Sequence, residues 1–513
     1  MMRRDPLGRL WGWRDGSLPA LLFFGLEAGA IHAGVRRLGF VGDSWAILMH
    51  AAPGWRAALG TPLGYHYIPL ASGWTRLLYM LLGDHERLYA IVNIGELTVV
   101  GWLTFLLGRR LLGKALPGLL AGSLLIGSAA FPDVTYWALV GNFHCLAAIF
   151  SIGAIAAAAA LAEENPPRGA SLGFAAALAG ACFTYEGMIT LLPVALIWCL
   201  VRQAERAGAR SLFRVAALQG MLRRFAWSLP VVAALVLAKI RFAQATASAI
   251  TPALDLERLH SLAHGLIGIF TLRSSSEVLE TLLYIGTTPM SIEWHRILVF
   301  LGLALALGVW TFLRARRGAA LLVLWLAIHL FVAILALPLS SRHCFLPSIP
   351  GLLLLSLGFC QVGEWVSRRV APAPGTVHMA LAIPLVLTSV LILSAQGELH
   401  RAQELYRRSF DALRVAVEQA RTLLPSRNTP ATLTLVNFPA YLVEGGIAVP
   451  AFDNAMNGLA LFRLGGTRIE LIHTWVEVPG WVATDSSRLV DEAEVLRRGA
   501  DPFRAVVAFE LGP

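Results

Sequence analysis

The sequence predicts an all-α polytopic membrane protein with a small α+β domain at its C-terminal end, and three observations lead there. The first is composition: 57% of the 513 residues are apolar and 14% are charged, against roughly 45–50% and about 25% in soluble domains. The second is the recurrence of apolar runs close to the ~20 residues that a membrane-crossing helix needs. The third is a change of character after residue 395, where long apolar runs stop and charges of both signs return. The apolar content excludes disorder, 47 glycines without a period exclude collagen, and five cysteines are too few for a disulfide scaffold. The net charge of +10 reads as cytoplasmic-loop arginine, since basic residues in membrane proteins mark the inside. No nucleic-acid partner is expected.

Eleven apolar runs centre near 18–35, 87–108, 117–132, 138–162, 170–185, 187–201, 226–243, 297–313, 319–338, 345–362 and 378–395. The first follows Arg3, Arg4, Arg9 and Arg14 without a small-residue cleavage site, so it reads as a retained anchor rather than a secretory signal. Residues 396–513 hold 12 of the 42 basic residues, all arginine, beside 14 acids. Of the remaining 30, 19 fall in short cytoplasmic segments if the N-terminus is inside, among them Arg109, Arg110 and Lys114, and Arg314, Arg316 and Arg317. Arg36, Arg37 and the acidic segment at Glu163 and Glu164 run against that bias. The expected organisation is a multi-spanning domain over 1–395 in the cell (inner or plasma) membrane. Its loops 36–86 and 244–295 lie outside, with an extracytoplasmic domain over 396–513.

In that last domain, Leu405, Phe410, Leu413 and Val417 have helical spacing within 398–424, and Thr432–Val436 reads as a strand after Pro430. All five cysteines lie in or beside the apolar runs, which predicts buried inert thiols, and no Cys/His metal spacing occurs.

Several chemistry-bearing residues fall at the expected outer boundary, and other motifs accompany them along the chain. The first outside loop opens Gly39-Phe40-Val41-Gly42-Asp43-Ser44-Trp45 and continues Tyr65-His66-Tyr67-Ile68-Pro69-Leu70; Val92-Asn93 and Leu107-Gly108-Arg109-Arg110-Leu111-Leu112-Gly113 follow. Next come Phe131-Pro132-Asp133-Val134-Thr135-Tyr136-Trp137 and Gly141-Asn142-Phe143-His144, then Thr184-Tyr185-Glu186, then Ser341-Arg342-His343-Cys344-Phe345-Leu346-Pro347. Over about residues 18–362 this order resembles integral-membrane glycosyltransferases of the GT-C type, especially the protein O-mannosyltransferase-like group. The chain departs from that pattern at Ile68, Asn142, His144 and Tyr185, which implies a distant branch or an altered donor site.

The resemblance implies an inverting transferase that takes sugar from a polyprenyl-phosphate-linked donor to a lipid, glycan or protein acceptor at the outer face. Such chemistry needs a carboxylate to receive the acceptor's proton, cations for the phosphate leaving group and an apolar groove for the lipid. Asp43 is the expected base; the alternative is a helix cap for Ser44–Met49. Asp133 could orient the acceptor or, with Asp43, hold a divalent cation such as Mg or Mn, and equally could face water. Glu186, between two apolar runs, needs a partner or an aqueous cavity, as do Glu27 and Glu96 within runs. Arg342 and His343 sit at phosphate depth, where a lipid headgroup competes as partner. His66 and Tyr67 could touch phosphate or sugar, and Trp137 could stack on a sugar ring, although interfacial aromatic anchoring accounts for both aromatics too. His144 reads as a helix residue facing the site rather than a metal ligand. Two other readings compete: a transporter or flippase of lipid-linked sugars, and a non-catalytic relative of the transferases.

Overall fold

A bilayer offers no water to backbone amides, so apolar segments must close their own hydrogen bonds as helices. The computed structural model describes residues 17–63, 66–207, 215–242, 256–273, 316–336, 341–370, 376–423, 432–438, 441–444, 447–450, 468–473, 481–482, 488–499 and 504–508. Ten of the eleven expected runs coincide with helices: Ser17–Ile31, Glu86–Leu112, Ala115–Ile126, Ala138–Leu161, Ala170–Thr184, Leu191–Ala207, Ser228–Phe242, Arg316–Ala336, Ser341–Val370 and the first half of Thr376–Leu423. The run at 297–313 lies outside the described residues, as does most of the loop expected over 244–295. Among the described residues, six helices are long and apolar enough to cross a membrane, and a seventh span forms if the pair bent by 64° around residues 226–227 counts as one. The protein is an integral membrane protein built from helices.

The expected span at 117–132 is shorter than the sequence suggested. Ala115–Ile126 has 12 residues, about 18 Å at 1.5 Å per residue, well under the ~30 Å of a hydrocarbon core. The chain leaves the helix there because its next amides find other partners: Ala129 N–H donates to the Leu272 carbonyl (2.8 Å) and Ala130 N–H to Ser128 Oγ (3.1 Å). Non-helical backbone survives at this depth because protein surrounds it; Ala129, Ala130, Phe131 and Leu272 are all buried.

Glu86–Leu112 is the hub and packs against Ala115–Ile126, Ala138–Leu161 and Ser17–Ile31. It begins with an acid, ends on Arg109 and Arg110 as the helix dipole favours, and stops at Gly113 in the left-handed region (φ +68°). Its contact with Ala115–Ile126 is backbone on backbone: a Cβ added at Gly118 would lie 2.5 Å from the Phe105 carbonyl oxygen. Small residues permit that approach, which suits an environment where apolar surface alone drives no association between helices.

The expected outside loop 36–86 is itself helical over Asp43–Ala51, Trp55–Gly60 and Pro69–Leu82. Thr376–Leu423 runs through the expected boundary at 395/396 without a break, 48 residues or about 72 Å. No proline follows Pro384 within it, and Gly397 alone does not stop a helix. Beyond the apolar segment the buried stripe Leu399, Ala402, Leu405, Tyr406, Phe410, Leu413 and Val417 has 3.6-residue periodicity, while Arg407 bridges Glu404 and Asp411 on another side. Strand β1, Thr432–Val436, is almost fully buried and lies between β4 (Arg468–His473) and β7 (Arg504–Ala508). With β6 (Arg488–Leu489) beside β4 these form a parallel sheet ordered β6-β4-β1-β7. A second, antiparallel sheet is ordered β3-β2-β5: Ile447–Pro450, Tyr441–Glu444 and Trp481–Val482. The long helix packs on β2, β3 and β7. All five cysteines are buried.

Candidate active site

Asp43 stands in the first turn of Asp43–Ala51, and Gly42, at the N-cap with φ +46°, makes the turn into it. A side chain at Gly42 would strain that conformation. The helix starts at Asp43 itself, so the carboxylate is a first-turn acid at the positive end of the dipole rather than the cap. Burial lowers the pKa of His50 near the other end of this helix. The preceding segment is pinned twice. Phe40 N–H donates to Glu86 Oε2 (3.2 Å), with the Phe40 ring edge-on to Trp45 and Tyr89 (5.4 and 4.9 Å). Trp137 Nε1–H donates to the Val41 carbonyl (2.9 Å).

Trp137 reaches in two directions. Its ring also carries the Arg342 guanidinium at 5.8 Å from the centroid, so one buried indole joins the backbone beside Asp43 to the cation that starts Ser341–Val370. A cavity of about 100 Å³ lies at that cation, lined by Arg342, His343, His144, His329, Tyr185 and Thr190, among others. Thr190 Oγ1 is 3.1 Å from His329 Nδ1, and the His144 and Tyr185 rings are 5.3 Å apart.

Glu186 occupies a break in the apolar stretch. Tyr185 turns extended (φ −150°, ψ 111°), and a 3₁₀ turn over Glu186–Thr190 leads into Leu191–Ala207. The carboxylate accepts the Tyr67 backbone N–H (2.8 Å) and lies 3.6 Å from His66 Nδ1. The partner expected for this acid is therefore His66 together with the Tyr67 main chain. The Tyr67 hydroxyl itself turns away to the Leu59 carbonyl, and its ring meets Phe242. Asp133, in the one-turn helix Pro132–Tyr136, accepts from Tyr406 Oη (2.9 Å) on the long helix. Among the described residues no three His, Cys, Asp or Glu side chains come together as a metal site.

Several residues support the site through contacts that the sequence did not reveal. Asn93 donates to the carbonyls of Val134 and Thr135 (2.8 and 2.9 Å), clamping the turn that holds Asp133. Gly141 lets this happen, since a Cβ there would fall 2.2 Å from the Val134 oxygen and 2.4 Å from Asn93 Nδ2. Glu96, 9% exposed, accepts from Trp74 Nε1 (2.7 Å) and Asn142 Nδ2 (2.9 Å), which answers the need of a buried acid for partners. Glu27 accepts from Ser123 Oγ (3.0 Å). His329, a lone histidine in an apolar run, carried a signal that spacing rules overlook. A larger cavity, about 650 Å³, opens between Phe40, Trp45, Glu86 and Arg87 on one side and Phe410 and Arg414 of the long helix on the other.

No protein-family profile and no curated protein matches the chain. Among solved structures it is similar to ArnT from Cupriavidus metallidurans bound to undecaprenyl phosphate: 14% identity over 90% of this chain and 89% of that one, TM-score 0.46. For apo ArnT from the same organism the figures are 16%, 96% and 93%, with a TM-score of 0.47. It is also similar to the archaeal oligosaccharyltransferase AglB from Archaeoglobus fulgidus in complex with an inhibitory peptide and a dolichol-phosphate, at 12% identity over 90% of this chain and 64% of that chain, TM-score 0.45.

Proposed function

We propose that this protein is a GT-C type membrane glycosyltransferase that moves a sugar from a polyprenyl-phosphate-linked donor to an acceptor at the outer face of the membrane. The observation that carries the reading is Trp137, which ties the segment bearing Asp43 to Arg342. One indole thus contacts both the segment of an acid suited to take a proton and a permanent cation suited to take a phosphate. In the reaction an acceptor hydroxyl attacks the anomeric carbon and the bond from that carbon to the phosphate oxygen breaks. Its electron pair leaves on the lipid phosphate beside Arg342, and the hydroxyl proton passes to Asp43. A single displacement inverts the configuration and needs no carboxylate nucleophile. No step is routed through a metal. In this reading the N-terminus is cytoplasmic, and residues 396–513 lie outside with the acceptor.

The test is purified protein in lipid with a panel of polyprenyl-phosphate sugars and labelled acceptors, wild type against Asp43→Asn. Transfer that falls by about 10²–10⁴ in Asp43→Asn supports the assignment. Donor that binds and stays intact marks a non-catalytic relative, donor that crosses the bilayer unconsumed marks a flippase, and either result overturns it.

A further inference from the structure

His144 stands in the apolar helix Ala138–Leu161 and is 5% exposed. Its Nδ1 lies 2.9 Å from the carbonyl oxygen of Val140, one turn back in the same helix. A carbonyl oxygen can only accept, so Nδ1 carries the proton and the neutral ring presents a lone pair at Nε2. That Nε2 is buried and has no hydrogen-bond partner among the described residues. Buried polar atoms in folded proteins are paired with few exceptions, so this acceptor calls for a donor beyond those the described residues supply.

The surroundings limit what that donor can be. His144 lines the cavity that Arg342 and His343 also line. A space of about 100 Å³ is roughly 6 Å across, room for about three waters at the ~30 Å³ each occupies in the liquid. A group that gives a hydrogen to Nε2 therefore sits close to whatever Arg342 binds. Arg342 offers this cavity a permanent cation for an anionic oxygen, and the ring of His144, whose buried Nε2 acceptor is unfilled among the described residues, lines the same space.

We propose that His144 Nε2 accepts a hydrogen bond from an O–H carried beside the phosphate that Arg342 holds, and so selects among polyprenyl-phosphate ligands. This rests on the reading of Arg342 as the phosphate contact. Two ligand groups have the required chemistry. One is the sugar hydroxyl on the carbon next to the anomeric carbon, separated from phosphorus only by two ring carbons and the bridging oxygen. The other is the P–OH of a singly protonated polyprenyl monophosphate, which the phosphodiester donor lacks.

The experiment is equilibrium binding in lipid nanodiscs, in an Asp43→Asn background so that no donor is consumed. Three ligands are compared: a polyprenyl-phosphate hexose, its 2-deoxy counterpart and the polyprenyl monophosphate. His144→Phe keeps a ring and removes the acceptor, whereas His144→Gln places a carbonyl oxygen near the position of Nε2. With the sugar hydroxyl as donor, the parent should prefer the hexose over the 2-deoxy ligand by about 10-fold or more. His144→Phe should erase that preference and His144→Gln restore part of it. With P–OH as donor, His144→Phe should instead weaken the monophosphate alone, about 10-fold. Unchanged ratios for all three ligands in His144→Phe overturn the proposal and leave water as the partner of Nε2. Failure of every ligand to bind the parent overturns the glycosyltransferase reading itself, so the two failures are told apart.

Discussion

Trp137→Phe separates the two tasks of the indole. Phenylalanine keeps an aromatic face for the Arg342 guanidinium, now 5.8 Å from the ring centroid, but removes the N–H that reaches the Val41 carbonyl at 2.9 Å. The lost hydrogen bond is worth about 0.5–1.5 kcal/mol, and an orphaned buried carbonyl raises the cost to about 1–3 kcal/mol. The cation–ring contact contributes about 0.5–2 kcal/mol, and Phe, a weaker partner than Trp, loses only part of it. The segment Val41–Asp43 should therefore loosen while Arg342 stays near its place. Turnover should fall about 10-fold and donor affinity by less than about 5-fold, at ~1.4 kcal/mol per factor of ten. The assay is transfer kinetics in nanodiscs beside direct donor binding. In the Asp43→Asn background Trp137→Phe should add almost nothing to the loss of turnover, because both changes act on one group. A full second loss in the double variant, or a defect confined to donor affinity, would refute the view that Trp137 positions Asp43.

Three further outcomes are expected. Arg342→Gln should weaken donor binding about 10- to 150-fold, the worth of a charge-assisted contact, with Arg342→Lys recovering only part because a point charge cannot reproduce the bidentate fork; binding assays on both variants check this. Glu96→Leu should lower stability by about 2–4 kcal/mol in thermal unfolding, because it strands Trp74 Nε1 and Asn142 Nδ2 in a buried site. In whole cells a membrane-impermeant thiol reagent should label Pro450→Cys and miss Arg210→Cys; the reverse pattern would invert the topology and move the site to the other face.

The positions of most apolar helices were legible in the sequence because a bilayer constrains the length and the composition of whatever crosses it. The strand Thr432–Val436 and the stripe Leu405, Phe410, Leu413 and Val417 were legible for a related reason, since periodicity reports which face is buried. Asp43, Glu186 and Arg342 stood out as charges beside apolar runs, which hydropathy alone reveals. Where helices stop was not legible. Ala115–Ile126 ends early because Leu272, far along the chain, supplies a carbonyl to Ala129, and Thr376–Leu423 continues past residue 395 because its second half finds a folded surface to cover. The partners of the site residues were equally hidden. Trp137 read as a sugar-stacking or interfacial aromatic, and only folding placed Val41 on its N–H and Arg342 on its face; His144 read as a helix residue facing the site, and only folding left its Nε2 without a donor among the described residues. Sequence determined which segments are apolar and where charges are costly, because those are properties of single residues in a solvent. Only tertiary structure decided which charge meets which group, because hydrogen bonds and ion contacts are set by distances of a few ångströms between residues far apart in the chain.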